Sequence, residues 1–117
     1  MKLTSACLLS VVLSASAPAF AAITCQGPVS YLGLNGEGYV YINLGYGVWA
    51  ICNVSTSLSS GGATVTPEAC RAWYGTLLTA QKTNAPMRVY FNPPTTSCTA
   101  IGTWVIPNPL PYHLDNI

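Results

Sequence analysis

The chain has 117 residues, half of them apolar and only 6% charged, with a formal net charge of +1. So sparse and balanced a charge lacks the basic footprint that nucleic acid or an anionic membrane surface requires, and neither is expected as a partner. With one His and three acidic residues, there is also little material for acid–base catalysis.

The first residues read as an export signal rather than as fold. Lys2 supplies the positive start, Leu8 to Leu13 an apolar run, and Ala19-Phe20-Ala21 an A-x-A cleavage site. The mature start is therefore expected at Ala22, leaving 96 residues, 22–117, as one small domain that is secreted or periplasmic. The apolar run is too short and too rich in Ser for a membrane anchor, so no membrane insertion is expected. Without Lys2 the three cations Arg71, Lys82 and Arg88 balance Glu37, Glu68 and Asp115, and the mature chain is neutral. A neutral, half-apolar chain points to surface covered by a partner or by its own copies.

Cys25 to Leu34 is apolar and broken by glycines, consistent with a strand, and Asn35-Gly36-Glu37-Gly38 carries a turn or bulge signal. From Gly38 to Leu44, Val40, Ile42 and Leu44 alternate with Tyr39, Tyr41 and Asn43, which predicts one core face and one outer face. Gly45-Tyr46-Gly47 turns the chain into a strand over Val48 to Val54, followed by a polar loop from Ser55 to Gly62 and a short strand around Ala63 to Val65. Thr66 to Asn84 predicts the single long helix. Thr66 can cap it, Pro67 suits its first position and Glu68 the positive end of its dipole. Cys70, Trp73, Tyr74, Leu77 and Gln81 recur at three- and four-residue steps with Leu78 and Ala80 at the edges, and Asn84 before Pro86 supplies the stop. Pro86 to Asn92 alternates again, with Met87, Val89 and Phe91 against Arg88 and Tyr90. A last strand is expected over Ile101 to Ile106, and the prolines from Pro107 to Pro111 read as an irregular C-terminal tail. Strands closing on one helix in this order predict a mainly β fold, a small OB-fold-like barrel. An open sheet on a helix is the alternative.

Four cysteines remain after cleavage, and an even count in a short exported chain predicts two disulfides. Three connectivities are possible, and Cys52–Cys70 with Cys25–Cys98 is preferred, because Cys70 lies on the buried face of the helix that follows the strand bearing Cys52. No C-x-x-C pair exists to suggest zinc, and neither a metal nor a cofactor is expected. His113 and Asp115 would share a face of an extended tail, but no G-x-S-x-G elbow accompanies them. Glu37 and Glu68 read as turn and helix-start carboxylates, so the chain is expected not to be an enzyme. Asn53-Val54-Ser55 matches the glycosylation acceptor pattern and reads as a chance match. What remains is aromatic and uncharged polar surface: Tyr39, Tyr41 and Asn43, with Arg88 and Tyr90, are the candidate ligand residues. Rings beside amides and hydroxyls suit stacking on a sugar or packing on a protein.

The order Gly38-Tyr39-Val40-Tyr41-Ile42, Trp49-Ala50-Ile51-Cys52, Cys70, Trp73-Tyr74-Gly75-Thr76-Leu77, Pro86-Met87-Arg88-Val89-Tyr90-Phe91 resembles the B-subunit family of subtilase cytotoxin and the related pertussis-like and typhoid-type toxin B subunits. The resemblance spans roughly Gly38 to Asn92. It implies an OB-fold, a ring of identical subunits and binding of cell-surface glycans, often sialylated. Glu37 departs from it, standing where that family has a sugar-contacting Ser just before its first strand of this pattern, and a carboxylate there repels sialic acid. The helix face of Ala72, Gly75, Thr76, Thr79 and Thr83 is small rather than charged, which suits a homo-oligomer built through helix-to-helix contact. The competing expectation is an exported structural or inhibitory protein that binds another protein through its aromatic strand face.

Overall fold

The computed structural model describes residues 22–117, so the export signal expected over residues 1–21 lies outside the described residues. In chain order the elements are β1 (Ile23–Pro28), β2 (Tyr31–Leu34), β3 (Tyr39–Asn43), β4 (Val48–Asn53), β5 (Leu58–Ser60), β6 (Ala63–Val65), α1 (Pro67–Thr83), β7 (Pro86–Phe91) and β8 (His113–Asn116). The fold is mainly β with one helix and two disulfides, Cys25–Cys98 and Cys52–Cys70, the connectivity preferred from the sequence. It is a small OB-like fold whose strands are not closed into a single barrel. They form three sheets, ordered β1–β7–β8, β2–β3–β4 and β5–β6, with every pairing antiparallel.

Three readings of the chain are corrected. Cys25 to Leu34 is not one strand: Pro28 ends β1, Val29 buries its side chain, and Ser30 donates both its backbone N–H and its hydroxyl to the Asn43 carbonyl. The chain thereby crosses from one sheet to another. The polar loop after Val54 contains β5, which pairs with β6 across the Gly61–Gly62 turn. The strand expected over Ile101 to Ile106 is absent, and the last strand is β8, in the supposed tail. Gly102 (φ 95°) and Trp104 (φ 56°) take left-handed conformations that break any extended run, while β8 begins as soon as the prolines end.

The helix forms where its signals put it. The Thr66 hydroxyl accepts from the Ala69 amide at 3.2 Å, and Asn84 closes the helix in a left-handed conformation (φ 54°) with its N–H on the Ala80 carbonyl. Its buried residues are Cys70, Leu77 and Ala80, whereas Trp73 and Tyr74, expected on the same apolar stripe, are only half-buried. Val40, Ile42, Val89, Phe91 and Met87 join Leu77 in the core, as their alternation predicts. At its centre Trp49 stacks on Tyr46 (6.2 Å between centroids) and takes the edge of Phe91 at 5.3 Å. All six residues of β4 are buried. One edge of β4 pairs with β3, and the irregular segment 102–105 lines the other.

Candidate functional site

That irregular segment is the key to the most exposed aromatic surface. Along the free edge of β4, Val48 N–H donates to the Thr103 hydroxyl (3.0 Å) and Ala50 N–H to the Val105 carbonyl (2.9 Å). In return, Trp104 N–H donates to the Val48 carbonyl at 2.6 Å. Beneath them the Trp49 indole N–H donates to the Gly102 carbonyl at 3.0 Å. Gly47 (φ 143°) has no room for a side chain, because a Cβ there would collide with that same carbonyl. These contacts fix the left-handed turn at Trp104 and push its ring outward, leaving it 64% exposed.

The Trp104 ring does not stand alone. Tyr31 of β2 meets it edge-on with centroids 6.0 Å apart, and Tyr41 of β3 lies 5.7 Å away. Tyr39 continues the row, 6.4 Å from Tyr41. With Gly33, Leu34 and Asn35 the Tyr31, Tyr41 and Trp104 rings line a shallow groove of about 320 Å³. Asn35 organises its end. Its side-chain oxygen accepts from the Glu37 and Tyr39 amides (3.0 and 2.9 Å), and its amide nitrogen reaches the Tyr41 hydroxyl at 3.5 Å. Glu37 is exposed in the same turn.

Of the five residues singled out by sequence, this groove takes Tyr41, with Tyr39 alongside. Asn43 is on the expected face of β3 but serves the turn after it, its side-chain oxygen accepting from Gly45 N–H at 2.7 Å and Gly47 N–H at 3.4 Å. Arg88 and Tyr90 lie in the other large sheet and belong to a separate cluster around Asp115. Arg88 Nε donates to Asp115 at 2.9 Å, the Tyr90 hydroxyl donates at 3.2 Å, and His113 Nε2 lies 3.3 Å away. The Arg88 guanidinium holds the Asp115 carboxyl below the usual carboxylate range, and Asp115 in turn raises Arg88. Burial pushes the Tyr90 phenol up. His113 and Asp115 do share a face, as an extended tail requires, but the carboxylate is committed to Arg88 and Tyr90. Sequence reasoning missed Tyr31, Asn35 and Trp104 as site residues. For Trp104 the signal was present in the flanking Gly102 and Pro107, which argue against a regular strand.

Two other motifs resolve. Asn53 is 4% exposed, its side chain donating to the Glu37 carbonyl and accepting from the Ser55 and Thr56 amides, so the glycosylation pattern falls on an enclosed structural residue. On α1 the Thr76, Thr79 and Thr83 hydroxyls donate to the carbonyls four residues back, at 3.0, 3.0 and 2.8 Å. With the hydroxyls committed to the helix backbone, the threonines turn methyl groups outward, and with Arg71 they line a groove of about 440 Å³ that reaches Ala85 and Asn116. Among the described residues no group of three or more His, Cys, Asp or Glu is placed to hold a metal, and no helix is long and apolar enough to cross a membrane. Comparison of the chain with protein-family models, with curated proteins and with solved structures finds no match.

Proposed function

We propose that the protein is an exported, non-catalytic binding module that takes a neutral glycan in the groove of Tyr31, Tyr41 and Trp104. The observation that carries the reading is the Trp104 ring, presented to solvent by a left-handed backbone and flanked by two tyrosines. An exposed, conformationally fixed aromatic platform suits the apolar face of a pyranose, and the Tyr41 hydroxyl and Asn35 amide supply polar groups for its hydroxyls. Glu37 in the adjoining turn disfavours a sialylated ligand, unlike the toxin B subunits that the strand and helix motifs resemble. Two disulfides fit an oxidising compartment, and the reading places the protein outside the cell or in a periplasm. A glycan array on oxidised protein tests it. Binding is expected to neutral glycans and to fall at least about tenfold in Trp104→Ala and Tyr41→Ala, the equivalent of about 1.4 kcal/mol. A blank array with the unaltered protein overturns the reading.

A second reading, binding of another protein, is favoured by the edge position of β2 together with the exposure of Tyr31 (41%) and Leu34 (48%). An unpaired apolar edge accepts a partner strand. Co-purification of an exported protein, lost in Leu34→Lys, with blank arrays would select it. In either reading the threonine face of α1 supports self-association. Light scattering across a concentration range is expected to show an oligomer that Thr79→Arg and Gly75→Glu dissociate, and a monomer at every concentration removes it.

A further inference from the structure

A second cleft, of about 400 Å³, lies where the β5–β6 hairpin and the start of α1 meet the proline-rich segment before β8. Trp73 and Tyr112 line it with Asn92, Thr64 and Pro109, and no lining residue is charged. Its walls are fixed. At the hairpin tip Gly61 (φ 61°) lies so close to Asn108 and Pro109 that a Cβ would collide with both, and Leu110 N–H donates to the Ser60 carbonyl at 3.2 Å. On the other side Tyr112 N–H donates to the Tyr90 carbonyl at 3.0 Å, and its ring is 6.1 Å from the Tyr90 ring, which is anchored on Asp115. Tyr112 is nevertheless 47% exposed and Trp73 half-buried.

We infer that this cleft is a second saccharide site, separate from the Trp104 groove, for a neutral sugar unit. The inference rests on the glycan-binding reading for its ligand class but on different residues for its geometry. Two rings present apolar surface to the C–H faces of a pyranose. The Asn92 amide and the Thr64 hydroxyl, itself paired with Ser59 at 2.7 Å, are polar groups suited to sugar hydroxyls. No lining residue carries a charge to form an ion pair with an anionic or cationic ligand. Two sites on one chain would let a branched or repeating glycan be held at two points, so that weak single contacts combine.

The three tryptophans provide the test, because each occupies a different setting: Trp49 in the core, Trp73 in this cleft and Trp104 in the groove. In ¹⁵N-labelled, oxidised protein their indole N–H resonances are followed during titration with N-acetyllactosamine and with chitotriose. The expected result is a saturable shift of Trp73 with a stationary Trp49, unchanged in Trp104→Ala and at least about tenfold weaker in Tyr112→Ala. The inference is overturned if Trp73 stays put with both sugars up to about 10 mM, a concentration at which even very weak sites fill. It is also overturned if the shift disappears in Trp104→Ala, or if hexaproline moves Trp73 where neither sugar does. A stationary Trp104 beside a shifting Trp73 would sink the groove reading and leave this one standing.

Discussion

Three side chains converge on Asp115, and the consequence is a dependence on pH at the acid end. Because Arg88 and Tyr90 stabilise the ionised form, the folded carboxyl titrates below its unfolded value of about 3.9. The stabilisation is therefore present above that pH and lost as pH falls through the lowered folded value. Denaturant titrations are expected to show wild type more stable than Asp115→Asn at about pH 6, with a smaller difference at about pH 3. An equal gap at both pH values would mean the charge on Asp115 does not matter. Gly47 gives a second prediction. Gly47→Ala combines an unfavourable φ with a collision against the Gly102 carbonyl and is expected to cost at least about 2 kcal/mol in urea titration. At this scale much was legible: the alternation through Tyr39 to Leu44 assigns each side chain to its face. The role of Asn43 was not, since an amide on an outer strand face looks the same whether it meets a ligand or closes the next turn.

Among the elements, α1 is the most local and was the most legible. Its cap, its Pro67 and its Asn84 stop are all decided within one turn of the residue concerned. Thr66→Ala is expected to lower stability by about 1 kcal/mol, measured by denaturant titration, through loss of the bond to the Ala69 amide. The segment 101–106 shows the opposite case. Ile101, Trp104, Val105 and Ile106 have the composition of a strand, yet the segment's hydrogen bonds are supplied by β4, some fifty residues earlier. β8 was hidden for the same reason. Four residues after a run of prolines carry no strand signal of their own, and pairing with β7 supplies it. The surrounding Pro107, Pro109 and Pro111 stay irregular, as their missing amides require.

For the molecule as a whole, the two disulfides divide the labour. Cys52–Cys70 closes a separation of 18 residues and fastens α1 to β4, while Cys25–Cys98 spans 73 and ties β1 to the segment that bears Trp104. Chain entropy makes the longer loop the more stabilising, about 4.5 against about 3 kcal/mol. Cys25→Ser with Cys98→Ser is expected to lose more stability in urea titration than Cys52→Ser with Cys70→Ser. The reverse order would show that strain or residual structure outweighs loop length. The pairing was legible only as a preference: four cysteines allow three connectivities, and the place of Cys70 on the helix after the strand bearing Cys52 favours the one found. Closure into a barrel was not legible, because it depends on which strand edges meet, and here β1–β7–β8 and β2–β3–β4 keep their own pairings.

The stretch from Asn92 to Tyr112 contains no helix or strand and touches nearly everything that holds it: β4 along one edge, β1 through Cys98, and the β5–β6 hairpin through Leu110. Although irregular, the stretch is part of the core and not a coat laid over it: Leu110 is fully enclosed, as are Pro107, Pro109 and Pro111. The Cys25–Cys98 bridge therefore holds the interior and the Trp104 turn by the same stretch of chain, and the proposed groove and the core are expected to come and go together. In refolding followed by timed acid quench, glycan binding is expected to return in step with that bridge, and binding that precedes it would show that the groove does not need it.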